Sequence, residues 1–209
     1  MKRIVIAVDA GHGGADPGAG GNGLIEAELT EELADSRFSQ FARAAGHQVC
    51  LTRPDHAYVA LAERANRAVA AKADLFLSFH VNAASSLARG FQVWHHGGDT
   101  RSKRIAQRMH QVVIAALPQW APRLRSLDTA RDKSGQAGNG SRVSADTERY
   151  ASGFAVLRGT WQHMPALLLE VGFLSNAADA DLLRDPVLKQ ATMLQVMAAV
   201  AASLAHGEL

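Results

Sequence analysis

The sequence predicts an α/β protein: a single domain over residues 1–209, built on a twisted, mostly parallel sheet of about six strands with helices on both faces. Three observations lead there. Short apolar runs rich in β-branched residues alternate with segments whose apolar residues recur every three or four positions. The 209 residues, 47% hydrophobic and 20% charged, suit one globular domain able to bury a full core. No internal repeat or linker divides them.

The first strand is the run Ile4, Val5, Ile6 and Val8, which stops at Asp9 and a glycine-rich loop carrying His12 and closed by Glu26. Thr30 to Ala45 reads as an amphipathic helix with Leu33, Ala34, Phe38, Phe41 and Ala42 on its apolar side, and Gly46 stops it. His47 to Thr52 is a second strand, Arg53-Pro54-Asp55 a turn, and Leu61 to Ala71 a helix. Asp74 to Phe79 is a third strand that runs into His80, and Phe91 to His95 a fourth. Ser102 to Leu117 is a helix ended by Pro118. From Gln119 to Arg149 the apolar period fades into a long basic, glycine-containing loop or insertion, of a length that is more often functional than idle. Phe154 to Leu157 is read as the fifth strand and Ala166 to Glu170 as the sixth, ahead of a last helix from Val187 to Leu204.

Composition narrows the partners. The net charge is only +2, but arginine and lysine cluster between Arg101 and Arg142, which favours anionic surroundings such as nucleic acid, an envelope polymer or a membrane surface, without choosing among them. Aromatics make up 6%, too few for base-stacking platforms, so nucleic acid is not expected. The lone Cys50 reads as a small buried hydrophobe and permits no internal disulfide. Met1-Lys2-Arg3 leads directly into a strand, with no signal peptide, and no apolar run approaches a membrane span.

Three strands lead into residues able to bind metal or move protons: the first into His12, the third into His80, the sixth into Glu170. In an open α/β sheet the carboxyl ends of parallel strands share one edge, so these residues can converge, with Glu26 joining through the glycine loop. Two imidazoles and a carboxylate suit zinc and leave a fourth position for water. Taken singly, each has a second reading. A histidine after a strand is commonly a surface group, and Glu26 is also a favourable charge at a helix start, where Glu28, Glu31 and Glu32 compete with it. Glu170 is harder to set aside, because LLLE-VGF buries a carboxylate that needs a partner. The glycine loop lacks the Gly-Lys-Ser/Thr ending of a phosphate-binding loop.

The segments VDAGHGGADPGA, GLIEAEL, LTRPD with LAERANRA, ADLFLSFHVNA, FAVLRGT and MPALLLEVGFLSN together resemble the zinc-dependent N-acetylmuramoyl-L-alanine amidases of the Amidase_3 type, in order and spacing, from Ile4 to about Leu204. The resemblance implies that His12, Glu26 and His80 bind Zn2+, that Glu170 is the catalytic glutamate, and that the bond cut joins N-acetylmuramic acid to L-alanine of the peptidoglycan stem. Beside it, Asn82 is a candidate donor to substrate and Asp9 a candidate carboxylate for orienting His12. Arg64 and Asn66 read as braces for the loops. A zinc peptidase cutting within the stem and a non-catalytic wall-binding module are the alternatives.

Relatives that act in cell division carry an export signal and a targeting domain. Their lack here is similar to a bare endolysin held in the cytoplasm until release, or to a catalytic domain separated from its export signal. Either way the expected place of action is the cell wall or periplasm, as a monomer. Residues 119–149 are expected to line the substrate groove, an inhibitory helix being the other reading.

Overall fold

The computed structural model describes residues 2–120 and 141–209. Among these, the strands are β1 (Val5–Ala10), the two-residue β2 (Gly20–Gly21) and β3 (Leu24–Ile25), β4 (Gln48–Leu51), β5 (Leu75–Asn82), β6 (Phe91–His95), β7 (Arg142–Ala145) and β8 (Ala166–Phe173). The helices are α1 (Glu26–Glu31), α2 (Ser39–Ala44), α3 (Leu61–Ala70), α4 (Thr100–Ala116), α5 (Ala155–Thr160), α6 (Ala177–Arg184) and α7 (Pro186–Ala205). A π-helical stretch, Glu32–Phe38, joins α1 to α2 without a break. Six strands form one sheet in the order β4-β1-β5-β8-β6-β7, parallel throughout except for the antiparallel pair β6 and β8.

The alternation of side chains along each strand sorts the core into two unequal layers. Ile4, Ile6 and Val8 of the first strand segment, Leu75, Leu77 and Phe79 of β5, and Leu167 and Leu169 of β8 face the larger layer, with Leu33, Phe38, Met109 and Met193 from the helices. Ala7, Phe76, Trp94, Ala166 and Leu168 face the smaller one, which also holds Ala68 of α3 and Val156 and Leu157 of α5. Asp9, His80 and Glu170 share this second face by the same alternation. Among the described residues its cover consists of two short helices, ten and six residues long, and a cleft opens beside them at the carboxyl edge.

Several boundaries differ from the sequence reading. Phe154 to Leu157 is the start of helix α5, not a strand; four apolar residues carry no period able to separate the two forms. The remaining strand is β7, inside the tract read as loop, whose RVSA offers a single large apolar residue because it lies at the sheet edge. Residues 121–140 of that tract lie outside the described residues. β5 and β8 run on past His80 and Glu170, so both side chains project from within strands. Asn22-Gly23, with φ of +49° and +74°, forms the tight hairpin between β2 and β3 that this dipeptide favours. Helix α6 was not anticipated; Asn176 caps it, and Asp185 with Pro186 starts α7.

α7 is, contrary to expectation, long and apolar enough to cross a membrane by length and composition. Half of that stretch is buried inside the protein, with Met193, Val196 and Val200 in the larger core layer.

A buried polar network secures the end of β1. Asp9 accepts hydrogen bonds from Thr52 Oγ1 and Arg64 Nη1 at one oxygen and from Ser78 Oγ at the other. Arg64 also donates to the carbonyls of Val59, Ala10 and His12. The brace read from sequence at Arg64 is therefore a four-point clamp, with Arg64 2% and Asp9 1% exposed. Removing one partner of such a buried pair costs about 3–5 kcal/mol. Arg64→Ala is expected to lose stability on that scale in chemical denaturation, and Arg64→Lys to restore little of it, because an ammonium cannot span four acceptors. Near-wild-type stability of Arg64→Lys would show that charge alone matters.

Candidate metal centre

His12 follows β1 by two residues and sits in the left-handed region at φ +63°, which a residue bearing a Cβ adopts only when its surroundings impose it. The Arg64 clamp on its carbonyl is one such constraint. Glu26 opens α1, is 5% exposed, and points its carboxylate back across the loop. His80 projects from β5 on the face shared with Asp9.

These three side chains converge. Glu26 Oε1 stands 3.1 Å from His12 Nε2 and 2.9 Å from His80 Nδ1, and one ligand atom from each residue falls within 4.8 Å of the others. Tetrahedral zinc with bonds near 2.0–2.1 Å needs its ligand atoms about 3.3 Å apart, so only small movements separate this cluster from a metal-binding geometry. Glu26 Oε2 is anchored by the amide of Ala19, and Oε1 also accepts from the amide of Val81. The cradle is shaped by missing side chains. A Cβ at Gly18, itself at φ +67°, would lie 2.7 Å from the His12 ring and 2.8 Å from Glu26 Oε2, and one at Gly11 2.6 Å from His80 Nε2. His12, Glu26 and His80 can thus hold a metal ion, and their donor set fits zinc.

Glu170 lies directly across the strand pair from His80 in the β5–β8 register. Its Oε2 is enclosed and has no hydrogen-bond partner among the described residues. Burial pushes its carboxyl up to about 7, with the charges of His80 and Glu26 acting in opposite directions on top. At Glu26 burial also opposes ionisation, but the hydrogen bonds from His12 and His80 outweigh it and hold the group well below the usual carboxylate range. Two neighbouring carboxyls are thereby driven apart in acidity, the pattern that separates a permanent anion from a group able to carry a proton near neutrality.

Asn82 and Asp9 are placed differently from the expectation. Asn82 donates from its amide to Gln92 Oε1 and accepts from the amide of Ala83, so its side chain is engaged along the sheet. Asp9 faces Thr52, Ser78 and Arg64, and the carboxylate beside His12 is Asp16, whose Oδ2 lies 2.9 Å from Nδ1. Asp16 was legible only as the fourth residue after His12 in the loop. Also unforeseen is the cleft of about 290 Å³ beside the cluster, lined by Tyr58, Leu61 and Phe154 together with His12 and His80. The Tyr150 ring packs edge-on against Phe154.

An α/β domain with a His-Glu-His cluster at its carboxyl edge and an isolated glutamate beside it is the frame of a hydrolytic metal site. The chain belongs to the N-acetylmuramoyl-L-alanine amidase family, Amidase_3, whose model matches residues 6–202. It is 34% identical over 190 residues to the N-acetylmuramoyl-L-alanine amidase LytC of Bacillus subtilis, covering 88% of this chain and 32% of that protein. To the endolysin of Bacillus phage SPP1 it is 29% identical over 187 residues, covering 88% and 59%. The catalytic domain of CwlV, an N-acetylmuramoyl-L-alanine amidase from Bacillus (Paenibacillus) polymyxa var. colistinus, superposes with a TM-score of 0.74 at 27% identity, covering 96% of this chain and 98% of that one. The chain therefore spans about a third of LytC and 59% of the phage endolysin.

Protonation links the cluster to pH. The hydrogen bond to Glu26 raises His12 to about 9, with Asp16 adding to the effect and burial opposing it. At pH 7 the metal-free His12 holds a proton that an incoming ion must displace, while Glu26 is already ionised. Zinc affinity measured by chelator competition is expected to rise about tenfold per pH unit between pH 7 and 8.5 and to level off above 9. A flat profile over that interval would contradict this assignment of His12.

Proposed function

We propose that the chain hydrolyses the amide between the lactyl group of N-acetylmuramic acid and L-alanine of the peptidoglycan stem, acting at the cell wall, with zinc held by His12, Glu26 and His80. One observation carries the reading: Glu170 stands opposite His80 of the His-Glu-His cluster across one strand pair, and its buried Oε2 has no hydrogen-bond partner among the described residues. Family membership supplies the bond and the substrate class.

Zinc bound there would acidify a water toward neutrality and polarise the scissile carbonyl. The protein's own groups supply the rest. Glu170, with a carboxyl near 7, is ionised often enough to take the proton of the attacking water and acidic enough to return it to the departing amine of L-alanine. Glu26 keeps its charge and does not compete for that proton. Asn82 and Gln92 are already bonded to each other beside Glu170, so Asn82 shapes this side of the site and donates to substrate only by giving up that bond. Asp9 acts on His12 indirectly, by holding the Arg64 that clamps its carbonyl.

The test is incubation with purified peptidoglycan, with and without a chelator, followed by mass analysis of the products. Intact stem peptides freed from glycan, and only without chelator, are expected; fragments cut within the stem would instead indicate a peptidase. Glu170→Ala is expected to retain zinc while losing turnover by about 10²–10⁴-fold, the usual worth of a general acid-base. His80→Ala should lose metal and turnover together. Substantial lysis by Glu170→Ala would remove Glu170 from the mechanism.

A further inference from the structure

Asp16 uses both of its oxygens. Oδ2 lies 2.9 Å from His12 Nδ1, and Oδ1 accepts the amide of Gly18 at 3.0 Å. The backbone places it there: Gly13 and Asp16 exchange two main-chain hydrogen bonds, 2.8 and 3.1 Å long, so the turn closes without help from the side chain. Gly18 in turn lies against both His12 and Glu26, and the next amide, Ala19, donates to Glu26 Oε2. Residues 16–19 therefore touch two of the three clustered side chains from one side. The Asp16 side chain is 47% exposed, a setting in which an ion pair contributes little to stability.

We infer that Asp16 is a positioning residue for the metal centre: its carboxylate holds His12 in the tautomer protonated at Nδ1, which turns the Nε2 lone pair toward Glu26 and His80, and it tucks Gly18 against the ligand pair. The inference rests on reading His12, Glu26 and His80 as metal ligands. A carboxylate can only accept, and both His12 nitrogens face one, Asp16 Oδ2 at Nδ1 and Glu26 Oε1 at Nε2, so each carries a proton before metal binds. A bound ion can replace only the proton on Nε2, the nitrogen turned toward Glu26 and His80, while Asp16 retains the one on Nδ1.

The two oxygens make asparagine an informative replacement. In Asp16→Asn the turn would persist, because the amide oxygen still accepts from Gly18, but the new NH2 would face His12 Nδ1 and favour the tautomer protonated at Nε2, the nitrogen the metal needs. If Asp16 only shaped the turn, Asp16→Asn would behave as wild type and Asp16→Ala would not. If Asp16 positions His12, both lose.

The experiment measures zinc affinity of wild type, Asp16→Asn and Asp16→Ala by competition with a chromogenic chelator, with unfolding of the metal-free proteins followed in parallel. Both variants are expected to bind zinc about 10- to 100-fold more weakly while their metal-free unfolding midpoints stay close to wild type. Nitrogen-15 NMR of histidine-labelled, zinc-loaded wild type is expected to show His12 protonated at Nδ1, a reading that depends on no variant. Wild-type affinity of Asp16→Asn, or zinc on Nδ1 of His12, would overturn the inference. His12→Ala separates the two levels: retention of zinc by that variant would overturn the ligand reading itself, whereas loss of zinc there with an unaffected Asp16→Asn would overturn only the role given to Asp16.

Discussion

One carboxylate oxygen, Glu26 Oε1, is the point on which two imidazoles from distant parts of the chain close. The rest of the structure can be understood as the means of bringing them there. The parallel register of β1 and β5 sets Asp9 beside Ser78 and Ala10 beside Phe79, so the chain leaving β1 passes within reach of His80. The amide of Gly11 continues that pairing by donating to the carbonyl of Phe79. From there the loop must double back to the start of α1 in few residues, which demands backbone shapes that side chains resist. His12 carries one of these shapes itself, and the Arg64 clamp is the local constraint that opposes the associated strain.

The same arrangement separates two glutamates by environment. Glu26 is surrounded by donors and stays an anion; burial pushes the carboxyl of Glu170, whose Oε2 has no hydrogen-bond partner among the described residues, up to about 7. Their difference does not come from sequence neighbours. It follows from the cross-strand position of Glu170, one strand beyond His80 on the face that carries the smaller core layer, and from the direction in which α1 presents Glu26.

Much of this was legible in the chain. Continuous apolar runs announced β1, β5, β6 and β8, because strands buried on both faces leave no polar alternation to obscure them. His12, His80 and Glu170 could be singled out because each interrupts or follows such a run with a group costly to bury alone, whereas Glu26, at the end of the glycine loop, was separated from Glu28, Glu31 and Glu32 only by the family resemblance. What stayed hidden depended on geometry that residue type does not encode. FAVL at 154–157 is as compatible with a strand as with a helix, and RVSA at 142–145 carries too little apolar character to show as an edge strand. Asp9 was read as a carboxylate for orienting His12, but on the face it shares with His80 its oxygens are taken by Thr52, Arg64 and Ser78, and the positive φ angles of His12, Gly13 and Gly14 bring Asp16 back to His12 instead.

The central claim is that one zinc ion sits among His12, Glu26 and His80, in front of Glu170. Anomalous diffraction from crystals of the zinc-loaded protein, recorded on either side of the zinc absorption edge, tests it most directly. A single strong peak is expected within bonding distance of His12 Nε2, His80 Nδ1 and the Glu26 carboxylate, with Glu170 nearby and not bonded to it. A peak bound elsewhere, or none at this cluster in protein shown to contain zinc, would contradict it.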